Sequence, residues 1–251
     1  MDTFYDELAP LYHLIYGHWE TSIARQARAL DEIIREEAGG HARRLLDVSC
    51  GIGTQSLGLA ELGYLVTASD LSRGAVERAR REAAARGLSI DLSVADMRAA
   101  FERHGGGFDI VLSADNSVPH LLTDAEILRA FRQFLGCLSP GGICLISVRD
   151  YATTEREGRK LVPYGVRTED GVRYVLLQVW EFRGDLYDLA MYFVEDRGGG
   201  AECRTRVMRT MYYAVSIDRL MQLLRESGFE DVHRVDGRFF QPVIVGRRPP
   251  Q

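Results

Sequence analysis

One stretch constrains this chain more than any other: Arg43-Arg44-Leu45-Leu46-Asp47-Val48-Ser49-Cys50-Gly51-Ile52-Gly53-Thr54. Its short apolar run reads as a buried strand and its two glycines as a tight turn. Helical spacing then resumes in Ser56-Leu57-Gly58-Leu59-Ala60-Glu61-Leu62. Glycine lets a ligand approach the backbone closely, and the first turn of a helix offers unpaired amides. Asp47 would repel a pyrophosphate, and Ser56 stands where a dinucleotide fingerprint wants its third glycine, so the turn suits a cationic ligand better.

The same unit recurs along the chain. Tyr64 to Ser69 reads as a second strand ending at Asp70, followed by a helix from Arg73 to Arg86 that Gly87 stops. Ser89 to Val94 is a third strand ending at Asp96, and Phe108-Asp109-Ile110-Val111-Leu112-Ser113-Ala114-Asp115 a fourth. A helix from Asp124 to Leu138 and the turn Ser139-Pro140-Gly141-Gly142 lead to a fifth strand, Ile143 to Val148. Such alternation predicts an α/β fold, a mostly parallel sheet with helices on both faces.

The flanks differ. From Glu7 to Ala38 the spacing of Leu8, Leu11, Tyr12, Ile15, Trp19, Ile23, Leu30, Ile33 and Ile34 predicts two helices punctuated by Gly17 and Gly39-Gly40. After Tyr151, three strand-like runs (Tyr174 to Phe182, Leu186 to Val194, Arg204 to Tyr213) predict an inserted antiparallel meander, with Arg183-Gly184-Asp185 as its first hairpin. Ser216 caps a helix through Ile217, Leu220, Met221 and Leu224, and Val232 to Val235 with Pro242 to Val245 close the sheet. The expected organisation is thus a helical segment (1–40), a ligand-binding core (41–156), the insert (157–214) and a closing helix with two strands (215–251).

Charge and composition exclude several chemistries. A net charge of -5 has the wrong sign for a polyanion binder, so nucleic acid is not an expected partner. The only lysine, Lys160, follows no glycine-rich turn, which excludes a phosphate loop and argues against a Schiff-base site. Cys50, Cys137, Cys144 and Cys203 form no C-x-x-C pair and the histidines no H-x-x-x-H, so no metal site is expected. Free thiols, a start lacking a basic and then apolar leader, and the lack of a long apolar run predict a cytoplasmic protein with no membrane partner.

Asp47, Asp70 and Asp96 close three successive strands on the same side of the sheet. In such folds the second acid accepts ribose hydroxyls, and the third lies beside an adenine. Together the three acids describe a ligand with a positive centre, a diol and an adenine, as in S-adenosyl-L-methionine. Asp47-Val-Ser-Cys-Gly-Ile-Gly-Thr54, Ala68-Ser-Asp-Leu-Ser72, Ala95-Asp-Met97, Phe108 to Leu121 and Leu138 to Tyr151 resemble the successive motifs of the class I S-adenosylmethionine-dependent methyltransferases. Within that superfamily the chain is similar to the glycine/sarcosine N-methyltransferase group. The likeness rests on Asn116-Ser-Val-Pro-His120-Leu121, Arg149-Asp-Tyr151 and the pair Tyr212-Tyr213 that ends the insert.

The resemblance implies a Rossmann-like seven-stranded sheet with residues 1–40 as a lid, and N-methylation of an amino acid or related amine. It implies cofactor contacts from Tyr16, Asp47, Gly51, Gly53, Asp70, Leu71, Asp96 and Met97. It places Asn116, Arg149, Tyr151, Tyr212 and Tyr213 at a small-molecule substrate, with Arg149 gripping a carboxylate. Tyr5, Tyr12, Tyr16 and Trp19 form an aromatic stripe suited to a sulfonium. Arg25 is a candidate for the cofactor carboxylate, and His120 is read as a packing residue. Methyl transfer to a neutral amine needs no covalent residue, and no catalytic residue is assigned.

The chain departs from the group in reading Ser49-Cys-Gly-Ile-Gly53 where Ala-Cys-Gly-Thr-Gly is usual, and in a short N-terminal extension. A homo-oligomer stays open on that account. An amino-sugar N-methyltransferase or small-molecule O-methyltransferase of secondary metabolism shares these motifs, and a non-catalytic nucleotide-binding regulator would share the fold.

Overall fold

The computed structural model describes residues 3–152, 154–200 and 202–250. The N-terminal segment holds helix α1 (Phe4–Leu8), a 3-10 turn at Tyr12–Ile15 and helix α2 (Trp19–Ala38). The core alternates β1 (Arg44–Asp47), α3 (Thr54–Glu61), β2 (Leu65–Asp70), α4 (Arg73–Ala85) and β3 (Asp91–Val94). It continues through α5 (Ala100–His104), β4 (Phe108–Ser113), α6 (Asp124–Cys137) and β5 (Leu138–Ser147). The insert comprises β6 (Arg159–Glu169), β7 (Val172–Arg183), β8 (Leu186–Asp196) and β9 (Arg204–Tyr213). Helix α7 (Ile217–Glu226) and strands β10 (Glu230–Val235) and β11 (Val243–Arg247) complete the chain.

The main sheet has seven strands in the order β10-β11-β5-β4-β1-β2-β3. The strands from β5 to β3 run parallel, and β11 and β10 pair antiparallel. This is the Rossmann-like arrangement expected. Strand order reverses at β1, which lies between β2 and β4, so a crevice opens at the carboxyl ends of these strands.

Alternation along β1 sends Leu45 and Leu46 to opposite faces, each fully buried. Leu45 joins Ile23, Leu30, Leu57 and Val76 from α2, α3 and α4, while Leu46 joins Phe131, Phe134, Leu220 and Leu224 from α6 and α7. Each such side chain contributes about 1.5–3 kcal/mol on burial. Local signals start the helices: Ser72 accepts from the Ala75 amide, Thr123 from that of Glu126 and Ser216 from that of Arg219.

Two expectations are corrected. The N-terminal helix is not continuous over Glu7 to Gly17: Pro10 follows Leu8 and Ala9 and ends it, and a 3-10 turn replaces the rest. The insert has four strands, not three, since β6 pairs along β7 from Arg159 to Glu169. Pro163 and Gly165 obscured β6 in the sequence. They sit at a register shift on an edge strand, where a missing N–H costs little. This small sheet packs its inner face, including Tyr187, Leu189, Met191 and Phe193, with Phe4, Leu8, Leu11 and Leu14 of the N-terminal segment. Among the described residues no helix is long and apolar enough to cross a membrane.

Candidate active site

The turn after β1 folds as its glycines require. Gly51 and Gly53 have φ of +53° and +94°, in the region that favours glycine, and a Cβ on Gly53 would stand 3.2 Å from the Leu57 side chain. Asp47 lies beneath this turn, only 1% exposed. Its carboxylate accepts the Ser49 amide at 3.1 Å and the Ser56 hydroxyl at 2.6 Å. Burial pushes its pKa up to about 7 despite those two bonds. Asp47 and Gly53 therefore shape the turn, while Gly51 reaches the cavity above it.

That cavity, of about 310 Å³, brings Gly51, Asp70, Leu71, Asp96 and Met97 together from the ends of three strands. Asp70 accepts the Gly51 amide at 2.8 Å through one oxygen and the Ser72 amide at 2.9 Å through the other. The carboxylate keeps acceptor capacity beyond these amides for a further donor such as a ribose hydroxyl. Burial raises the Asp70 pKa, and its backbone hydrogen bonds only partly oppose the shift. Asp96 is gripped by Arg98, whose Nη2 lies 2.6 Å away and which also pairs with Glu126. Burial works against the Asp96 charge, yet Arg98 outweighs it and holds the pKa low. A Cβ at Gly51 would stand 3.4 Å from Tyr12 Cε1, so glycine keeps space open between turn and ring. Acid acceptors for a diol and an adenine, a bare turn and an aromatic wall fit an S-adenosyl group.

Tyr5 and Tyr12 line this cavity and also a second one of about 440 Å³, which contains Tyr16, Arg25, Asp115, Asn116, Arg149 and Tyr212. Tyr12 and Tyr16 stack with centroids 6.2 Å apart, so the aromatic stripe converges on the site without a continuous helix. Trp19, the fourth member, is buried instead and donates to Thr54 Oγ1 at 2.9 Å.

Asn116 is committed within the protein: its carbonyl accepts the Arg149 amide and its amide donates to the Tyr151 hydroxyl, both at 2.9 Å. The Arg149 guanidinium lies 4.6 Å from the Trp180 ring centroid and donates to the Tyr187 hydroxyl at 3.1 Å. No carboxylate among the described residues comes within ion-pair distance of Arg149. Tyr151 stands behind the cavity, hydrogen-bonded to Tyr187 at 2.9 Å. Tyr212 faces the site, and Tyr213, the next residue of a pleated strand, turns away to donate to Asp124 at 3.0 Å.

His120, read from the sequence as a packing residue, and two residues not singled out there, Asp115 and Gln241, also stand at the site. His120 is on the wall of the first cavity rather than simply packed, with Nε2 2.8 Å from the Tyr5 hydroxyl and its ring against Tyr212. Gln241 reaches in from the approach to β11, beside Asp115 at 3.3 Å. Asp115 is the largest omission. It and Asn116 adopt φ of +55° and +63°, and the available signal was the Asp-Asn pair at a strand end, since these two types best tolerate that backbone. Among the described residues no group of three or more His, Cys, Asp or Glu side chains is placed to hold a metal.

A fold whose sheet order reverses beside this acid-lined cavity defines a nucleoside-binding α/β protein of the methyltransferase kind, and comparison with known proteins agrees. The methyltransferase domain family matches residues 45–142. A glycine/sarcosine N-methyltransferase of Parasynechococcus marenigrum is 31% identical over 188 residues, covering 69% of this chain and 67% of that protein. The chain belongs to the class I S-adenosylmethionine-dependent methyltransferases, and S-adenosyl-L-methionine is its methyl donor. Two solved structures share the fold over nearly the whole chain. DesVI of Streptomyces venezuelae has a TM-score of 0.81 at 23% identity, covering 98% of both chains. CalS10, an amino pentose methyltransferase of Micromonospora echinaspora seen with S-adenosylmethionine bound, has a TM-score of 0.79 at 21% identity, covering 95% of each.

Proposed function

We propose that this enzyme methylates the nitrogen of a small acceptor that carries a carboxylate, an amino acid or related amine such as glycine or sarcosine. The observation that carries the reading is Arg149: a largely buried guanidinium, stacked on Trp180, facing the second cavity with no carboxylate of the described residues paired to it. A buried charge is costly unless paired, and a planar fork pairs best with a carboxylate. The likeness to a glycine/sarcosine N-methyltransferase supports the same class.

Asp70, Asp96 and Gly51 would hold the adenosyl group, with Tyr12 and Tyr16 closing over the turn. Bound S-adenosylmethionine supplies an electrophilic methyl group on a sulfonium sulfur. The residues of the second cavity then orient the nitrogen and exclude water.

A second reading, an amino-sugar acceptor, is favoured by size, because about 440 Å³ is more room than a two-carbon amino acid fills. Mass spectrometry of products from pooled amino acids, neutral amines and amino sugars incubated with labelled cofactor separates the two. Label in amino acids supports the proposal, and label only in amines without a carboxylate overturns it.

A further inference from the structure

Asp115 is an acid in the acceptor cavity that neither the adenosyl group nor the carboxylate grip requires. The turn that carries it is tied to β5: the Asp115 amide donates to Ser147 Oγ at 2.8 Å and the Asn116 amide to the Ser147 carbonyl at 3.0 Å. Its carboxylate accepts the Tyr16 hydroxyl at 3.2 Å and the Gln241 amide at 3.3 Å. Both are long, neutral contacts, and neither neutralises the charge. Arg149 shares the cavity and attracts Asp115 without forming an ion pair.

We propose that Asp115 binds the acceptor's ammonium and removes its proton, so that the cavity reads a zwitterion with Asp115 at one end and Arg149 at the other. The inference rests on the amine reading given under Proposed function. The N–H bond breaks, its proton passes to an Asp115 oxygen and the electron pair stays on nitrogen as the nucleophile. The proton leaves to water when product departs.

The other titratable groups facing Asp115 do not suit this task. Tyr12 and Tyr16 from the N-terminal segment, and Tyr5 beside them, are held by burial as protonated phenols. Tyr164 from β6 and Tyr212 from β9 are raised by burial as well, and Arg25 and Arg149 are cations. Burial also raises the Asp115 pKa, with Arg149, Tyr16 and Gln241 opposing, which brings the carboxylate closer to a working base.

The test uses whichever amine the wild type turns over. Asp115→Asn keeps a residue that tolerates the left-handed backbone. Near neutral pH it should lower kcat/KM by about 100-fold or more and move the acidic limb of the pH profile up toward the pKa of the free amine, because the acceptor must then arrive already deprotonated. Affinity for the acceptor in the S-adenosylhomocysteine complex should fall about tenfold, while calorimetric affinity for S-adenosylmethionine changes less than about threefold. If the variant does not fold, Asp115→Gly also tolerates the backbone, and added formate should restore part of its turnover. Retention of turnover with the acidic limb unchanged from wild type overturns the proposal. So does a tenfold loss of cofactor affinity, which would place Asp115 against the cofactor's own ammonium, and so does a folded Asp115→Gly without formate rescue. Wild-type turnover only of amines lacking a carboxylate would overturn the amino-acid reading and the zwitterion with it, but not the ammonium contact and proton removal at Asp115, and turnover of hydroxyl acceptors alone would overturn all of these.

Discussion

The side-chain carbonyl of Asn116 accepts the backbone N–H of Arg149 at 2.9 Å, which couples the loop after β4 to the loop after β5 on the wall of the second cavity. The same asparagine donates to Tyr151, so its polar atoms hold the site together as much as they line it. Asn116→Ala would leave the part-buried Arg149 N–H without its partner, leave the buried Tyr151 hydroxyl with Tyr187 alone, and put alanine at φ +63°. We expect a stability loss of about 2–4 kcal/mol by chemical denaturation, together with reduced turnover in the fraction that remains folded.

Asp70→Ala should weaken S-adenosylmethionine binding by about 1.5–3 kcal/mol in calorimetry, since the ribose hydroxyls lose a charged acceptor. Because Asp70 also receives the Gly51 and Ser72 amides, the unliganded melting temperature should fall too. Normal cofactor affinity in the folded variant would remove Asp70 from the ribose.

Arg149→Lys should raise the KM for carboxylate-bearing acceptors strongly, because an ammonium cannot reproduce the bidentate fork or the stack on Trp180. Cofactor affinity should stay near wild type. Neutral amines should be poor substrates of both proteins. Equal activity with and without an acceptor carboxylate, unchanged in the variant, would end this assignment.

Asp47 makes the stability of the fold depend on pH. Its pKa is about 7 when folded, against ~3.9 for an unfolded aspartate, so the folded state holds the extra proton between these values. The associated stability is complete below pH ~4 and is lost as pH rises to 7, at a rate of roughly 1.4 kcal/mol per pH unit across that interval. Melting temperature should therefore fall from pH 4 to 7 through this group, and Asp47→Asn should flatten that part of the curve. Parallel curves for the two proteins would refute a raised Asp47.

The core fold was legible in the sequence because its signals are local. A strand–turn–helix unit announces itself through apolar runs, glycines and caps within a dozen residues, and Gly51, Asp70 and Asp96 each end such a unit, so their convergence follows from a parallel sheet. β6 was hidden because Pro163 and Gly165 read as breakers, and only pairing with β7 makes that edge strand favourable. The second cavity is a tertiary product. Tyr5, Asp115, Arg149, Tyr212 and Gln241 come from five separate segments, and nothing in their sequence spacing predicts that they share one space. Likewise, whether a tyrosine of Tyr212-Tyr213 faces the site depends on which face of β9 packs inward, and whether Asp47 meets ligand or only supports the turn depends on burial. Local propensity thus determined the elements and the strand-end acids, while side-chain direction, burial and charge pairing were decided by packing between distant segments.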